Sequence, residues 1–119
     1  MTELHTLALT VAREAEIHGS LPEDGPRAGA TSGDPYTSTL KLYADDNLRC
    51  GIWECTPGGW DVENRTGTET MVILEGRVRI TTKGEEPVDI GAGDVFVLPD
   101  GWSGHWETVE TVRKFYTIA

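Results

Sequence analysis

At 119 residues the chain has room for one hydrophobic core and none for a second catalytic domain. Its 38% hydrophobic content and four tryptophans are those of a globular domain rather than a disordered one. Twenty acidic against ten basic side chains give a formal charge of −10, and with no Lys/Arg run this argues against nucleic acids and anionic membranes as partners.

Residues 1–36 read as an irregular N-terminal arm that packs on the domain or on a partner subunit. Leu4, Leu7, Leu9 and Val11 alternate loosely, residues 12–16 fit one helical turn, and Pro22, Gly25, Pro26, Gly29, Gly33 and Pro35 punctuate a loop-rich approach. From residue 37 to 119 short strands alternate with turn residues at the spacing of an all-β sandwich or barrel. Strands are predicted over 37–44, 48–55, 60–65, 69–75 and 77–82, the last two parted by Gly76. Further strands follow at 87–90, 95–98, 103–109 and 111–118. Cys50 and Cys55 fall on one strand. Five extended residues span roughly 16 Å, too far for a disulfide, which needs Cα atoms within about 7 Å. No signal-peptide pattern opens the chain, and no apolar run approaches the about 20 residues of a membrane span. A reduced, cytoplasmic protein is the expectation.

Two segments carry a resemblance. Glu69-Thr70-Met71-Val72-Ile73-Leu74-Glu75-Gly76 places a glutamate six residues before a glycine. Gly93-Asp94-Val95-Phe96-Val97-Leu98-Pro99-Asp100-Gly101 ends in Pro-x-Gly. These resemble the two motifs of the cupin family, which implies a double-stranded β-helix, the cupin jelly-roll barrel. The flanks, Gly51-Ile52-Trp53-Glu54-Cys55-Thr56-Pro57-Gly58, Gly104-His105-Trp106-Glu107 and Val112-Arg113-Lys114-Phe115-Tyr116, are similar to small cupins like the C-terminal half of ureidoglycine aminohydrolase.

Metal-binding cupins carry His-x-His and Glu in the first motif and a further His in the second. Counting back from Glu69, the two imidazole positions hold Glu63 and Arg65, and the later one holds Gly104. Arginine has no lone pair to give a metal. No resident metal or other cofactor is therefore expected, although a slipped register bringing Glu63, Glu69 and His105 together would make a metal-dependent, aminohydrolase-like site.

Strand alternation predicts which polar side chains enter the barrel. Lys114 and Tyr116 share a face with Val112 and Ile118, Glu69 with Met71 and Ile73, and Glu54 with Ile52. Arg65 completes the inward set, with Trp53 or Trp106 as a wall. One reading is a site for a small carboxylate, ureide or amino-acid-like molecule, with Glu54, Glu63, Arg65, Trp53 and Trp106 binding it. If the protein is an enzyme, Glu69 is the general base, Lys114 stabilises negative charge and Tyr116 donates a hydrogen bond. The competing reading is a non-catalytic module whose barrel is filled by an ion pair of Lys114 with Glu54 or Glu69. Because both faces of 69–74 are apolar, a homodimer is expected to cover the outer one.

Overall fold

The computed structural model describes residues 8–119. A single helical turn, α1 (Glu14–Ile17), precedes nine strands: β1 (Glu23–Pro26), β2 (Ala30–Gly33), β3 (Tyr36–Ala44), β4 (Arg49–Cys55), β5 (Gly58–Val62), β6 (Glu69–Thr82), β7 (Val88–Gly91), β8 (Val95–Leu98) and β9 (Gly104–Ile118). No helix among the described residues is long and apolar enough to cross a membrane. The strands form one curled antiparallel sheet ordered β1-β3-β4-β9-β5-β2, with β6 joining through β9 and carrying β7 and β8. The all-β cupin barrel expected from the motifs is what forms.

Strand β9 organises the barrel. Its first half pairs with β5 and the second half of β6, while its second half pairs with β4 and the first half of β6. The two strands expected on either side of Gly76 are one strand with a bend, and the residues expected as 103–109 and 111–118 are likewise continuous. Gly76 makes the bend. Its φ of 82° lies in the left-handed region, and a Cβ there would collide with the Thr111 carbonyl, so the register shifts through Ile73–Val78 at the one residue able to take it.

Two strands come from the arm. β1 pairs with β3 and β2 with β5, so residues 23–33 extend the sheet at both ends of the main strand order. Their local sequence (Gly, Pro, Asp and Ser) carries no strand signal, and the pairing is imposed by tertiary context. Leu4 and Leu7 lie outside the described residues.

Alternation along β6 and β9 fills the interior. Met71, Ile73, Val78 and Ile80 from β6 meet Trp106, Val112 and Tyr116 from β9, and Cys55, Trp60, Leu98 and Trp102 complete the core. Each such side chain contributes on the order of 1.5–3 kcal/mol by leaving water. The opposite face carries an apolar row in register across five strands: Leu40, Ile52, Phe115, Val72 and Val95. Ile52 is buried, whereas Val95 and Val97 at the far end are exposed.

Candidate functional site

Inside the barrel lies a cavity of about 320 Å³, lined by Arg27, Arg49, Arg65, Lys114 and Glu69 among the charged residues. Trp53, Trp60, Trp106 and Tyr116 supply the aromatic wall, with Val62, Leu98 and Ile118 between them. Five of the side chains expected at a site therefore converge with Tyr116: Glu69, Lys114, Arg65, Trp53 and Trp106.

Lys114 is placed by register. It stands opposite Trp53 on β4 and Ile73 on β6, facing inward with Val112 and Tyr116. Its ammonium donates to Glu69 Oε2 at 2.7 Å and approaches Met71 Sδ at 3.3 Å. It also sits over the rings of Trp53 (4.4 Å to the centroid) and Trp106 (4.7 Å). Such desolvated cation–π contacts add up to about 2 kcal/mol. Burial pulls the Lys114 amine below its ordinary value, and the Glu69 carboxylate acts in the opposite direction.

Arg65 donates through Nη2 to the other oxygen, Glu69 Oε1. It lies in the loop after β5, fixed by its own N–H donating to the Trp102 carbonyl (2.8 Å) and its carbonyl accepting from Gly101 N–H (2.7 Å). Asn64, with φ 46°, donates its N–H to Ser103 Oγ. The second motif's turn thus clamps the segment that presents Arg65. The guanidinium's Nε is buried without a hydrogen-bond partner among the described residues. A buried, unsatisfied donor is uncommon and asks for a reason.

The tryptophans pack tightly. Trp60 stacks on Trp106 at 5.9 Å and 15°, and Trp53 stands edge-on to Trp106 at 5.6 Å. Burial raises the Tyr116 phenol above its usual value, so it faces the cavity as a neutral hydroxyl.

Two expected site residues lie elsewhere. Glu54 is on the outer face of β4, where it accepts from Arg113 Nε and Nη2 at 3.1 and 2.5 Å. The inward face of β4 is the one bearing Trp53 and Cys55; the apolar Leu48 and Ile52 signalled the wrong side, because the outer face of this sheet is apolar too. Glu63 is exposed in the loop and does not line the cavity. Three charged or aromatic cavity residues stand outside the expected set. Arg49 shares the parity of Trp53 and follows from the corrected face of β4. Trp60 enters from β5, where it stands opposite Trp106. Arg27 belongs to the arm, where its guanidinium lies 4.5 Å from the Trp60 centroid, and no local signal points to it.

The residues do not suit the divalent metal of metal-binding cupins. Among the described residues no three His, Cys, Asp or Glu side chains converge. His105 does not slip inward: it pairs with Asp61 Oδ1 at 2.8 Å across β9 and β5, on the face opposite Trp106. Gly104 has no room for an imidazole. A Cβ there would strike the Thr81 carbonyl and come within 2.5 Å of the Trp102 ring, so Trp102 fills the space. Glu69, the one carboxylate lining the cavity among the described residues, already faces two cations. Both cysteines are free, and burial raises both thiols above their usual values, which argues against a nucleophile.

No curated protein matches the chain. Among solved structures, a Pseudomonas syringae protein of unknown function from the DUF861 family superposes with a TM-score of 0.78 at 25% identity, over 87% of this chain and 46% of its own. This chain thus spans less than half the length of that relative. A Thermotoga maritima DUF861 protein is 35% identical over 57% of this chain and 76% of its own, with a TM-score of 0.54. The Clostridium difficile EutQ protein, at 20% identity and a TM-score of 0.60 over 71% of this chain and 68% of its own, shares the fold. The narrower likeness to ureidoglycine aminohydrolase rests on the sequence flanks alone. Residues 42–116 match the EutQ-like cupin domain, and the chain belongs to that family.

Proposed function

We propose that this cupin binds a small carboxylate-bearing molecule inside its barrel, without a resident metal. The observation that carries this reading is the charge of the cavity. Four of the ten basic side chains of an acidic protein line it against one carboxylate, Glu69. Lys114 and Arg65 are buried or nearly so and share Glu69 alone, while Arg27 and Arg49 are exposed at the cavity's edge. The interior thus holds one cation more than it has carboxylates, and an uncompensated buried charge is costly. Arg65, four-fifths buried with an unsatisfied Nε, is the natural partner of an incoming carboxylate, since a guanidinium fork matches its two oxygens. The Trp53–Trp60–Trp106 wall would cover the ligand's apolar body.

The self-filled barrel is the competitor, and the Lys114–Glu69 pair belongs to it. That pair leaves space beside it, and at about 30 Å³ per water the cavity holds about ten water-sized groups. A catalytic extension has in its favour that Lys114 and Tyr116 line the same cavity. Lys114 would stabilise developing negative charge and Tyr116 would donate a hydrogen bond, while Glu69 would serve as a base only after leaving its two cations.

Thermal denaturation with a panel of short carboxylic, hydroxy and ureido acids tests the reading. A ligand at 100 times its Kd stabilises the fold by about 2.7 kcal/mol, a shift of several degrees in Tm. Arg65→Gln should abolish the shift. A flat panel, or shifts indifferent to Arg65→Gln, would contradict the assignment. The exposed Val95 and Val97 at the end of the apolar outer row support pairing with a second copy, for which light scattering should give twice the chain mass; a monomer would remove that part.

A further inference from the structure

We infer that the ligand is a 2-oxo acid, held by its carboxylate at Arg65 and joined through its keto carbon to Lys114 as a Schiff base. This rests on the proposed binding of a carboxylate in the barrel and adds the substrate class and a covalent site. The geometry that carries it is the sharing of Glu69. Lys114 Nζ donates to one oxygen of that carboxylate and Arg65 Nη2 to the other. The two cations therefore stand one carboxylate apart, and both line the cavity. A ligand carboxylate on the Arg65 guanidinium leaves the next carbon of its chain within short reach of the Lys114 nitrogen. In a 2-oxo acid that carbon is the electrophile.

Among the described residues Lys114 is the only amine lining the cavity; the other cations are arginines, which keep their protons and cannot attack a carbonyl. Its nitrogen is enclosed by Met71 Sδ and the rings of Trp53 and Trp106. Burial favours the neutral amine against the pull of Glu69, and the charge of Arg65 works with burial. A lysine desolvated beside a second cation is the setting that makes an amine nucleophilic toward carbonyl carbon. The ammonium passes one proton to Glu69 within their 2.7 Å hydrogen bond, and the freed lone pair attacks the keto carbon as the C=O π pair moves to oxygen. That oxygen takes one proton from the attacking nitrogen and the other back from Glu69, and leaves as water. The iminium keeps the third proton and the positive charge, so the step balances without an oxidant or reductant. The bound ligand then supplies the second carboxylate that the two interior cations lack.

Incubation of the full chain with pyruvate and cyanoborohydride, followed by peptide mapping by mass spectrometry, tests this, because hydride delivered to the iminium carbon fixes the adduct as a secondary amine. Lys114 should be labelled at least about tenfold faster than the exposed Lys41 and Lys83, the gain of an oriented carbonyl over a free one. Arg65→Gln, its fold checked by circular dichroism, should slow labelling of Lys114 by pyruvate at least about tenfold, the loss of one charge-assisted contact. Labelling by butanal, which has no carboxylate, should be unchanged in that variant. Lys114 labelled no faster than Lys41 and Lys83, or pyruvate and butanal slowed equally by Arg65→Gln, would overturn the 2-oxo acid; a rise in Tm with pyruvate alone would leave the carboxylate site standing. Pyruvate that neither labels Lys114 nor raises Tm, together with a flat panel of other carboxylic acids, would overturn both readings.

Discussion

Arg113 and Lys114 are neighbours in sequence and point to opposite sides of β9, and each meets a glutamate. On the outer side, Arg113 donates to Glu54 and also to the carbonyls of Ile17 and Gly19 at 2.8 and 2.7 Å, tying the arm to the barrel. Every nitrogen of that guanidinium has a partner. On the inner side, Glu69 is shared by Lys114 and Arg65, Arg65 Nε is unsatisfied, and two more arginines face the same space. The outer network is closed and the inner one is open. A closed buried network fixes structure; an open one beside a cavity has capacity for a ligand.

The largest effect that would break this comparison is at Glu69. Glu69→Gln leaves Lys114 and Arg65 facing each other without a counter-charge, and removing one partner from a buried pair costs about 3–5 kcal/mol. Urea denaturation should show that loss. A cost below about 1 kcal/mol would mean that the interior charges are solvated and the inner network is not what it is taken for. Arg113→Met should cost less, about 2–3 kcal/mol, because Glu54 is partly exposed. Hydrogen exchange at residues 17–23 should accelerate, with carboxylate binding in the barrel untouched. Loss of binding in that variant would couple the two networks and spoil the distinction.

Gly104→Ala should cost about 1–3 kcal/mol through its collision with the Thr81 carbonyl and Trp102 ring. By the same steric argument, Arg65→His combined with Gly104→His should gather no stoichiometric nickel or zinc, as checked by elemental analysis. Metal uptake by that variant would show that Trp102 yields.

The smallest effect is a pH dependence. Burial holds Lys114 below the 10.5 of an unperturbed lysine, so in the window beneath 10.5 the unfolded chain binds more protons than the folded one, and stability rises with pH there. The thiols of half-buried Cys50 and buried Cys55, raised from 9.0, act in the opposite sense above pH 9. The stability difference between wild type and Lys114→Met isolates the lysine and should grow as pH rises toward 10.5. A flat difference would mean that Lys114 keeps its ordinary titration.

The inner network was largely legible in the sequence. Alternation along 111–118 put Lys114 among apolar neighbours, the cupin spacing fixed Glu69, and counting back from it found Arg65 where an imidazole belongs. Glu54 was misplaced because hydrophobicity marks the inward face only when the other face is wet, and here Leu40, Ile52, Phe115 and Val72 make the outer face apolar as well. Arg27 was invisible for a different reason. It reaches the cavity through the pairing of β1 with β3 and β2 with β5, contacts between residues far apart in the chain that no local pattern announces.

The most direct test is a crystal structure of the protein grown with succinate, at a resolution that shows ordered anions. The account predicts a carboxylate in the barrel accepting from the Arg65 guanidinium at about 2.7–3.0 Å, with the Lys114–Glu69 pair still in place beside it. A dry, collapsed interior, or a metal ion bound to Glu69 with Lys114 displaced, would contradict it.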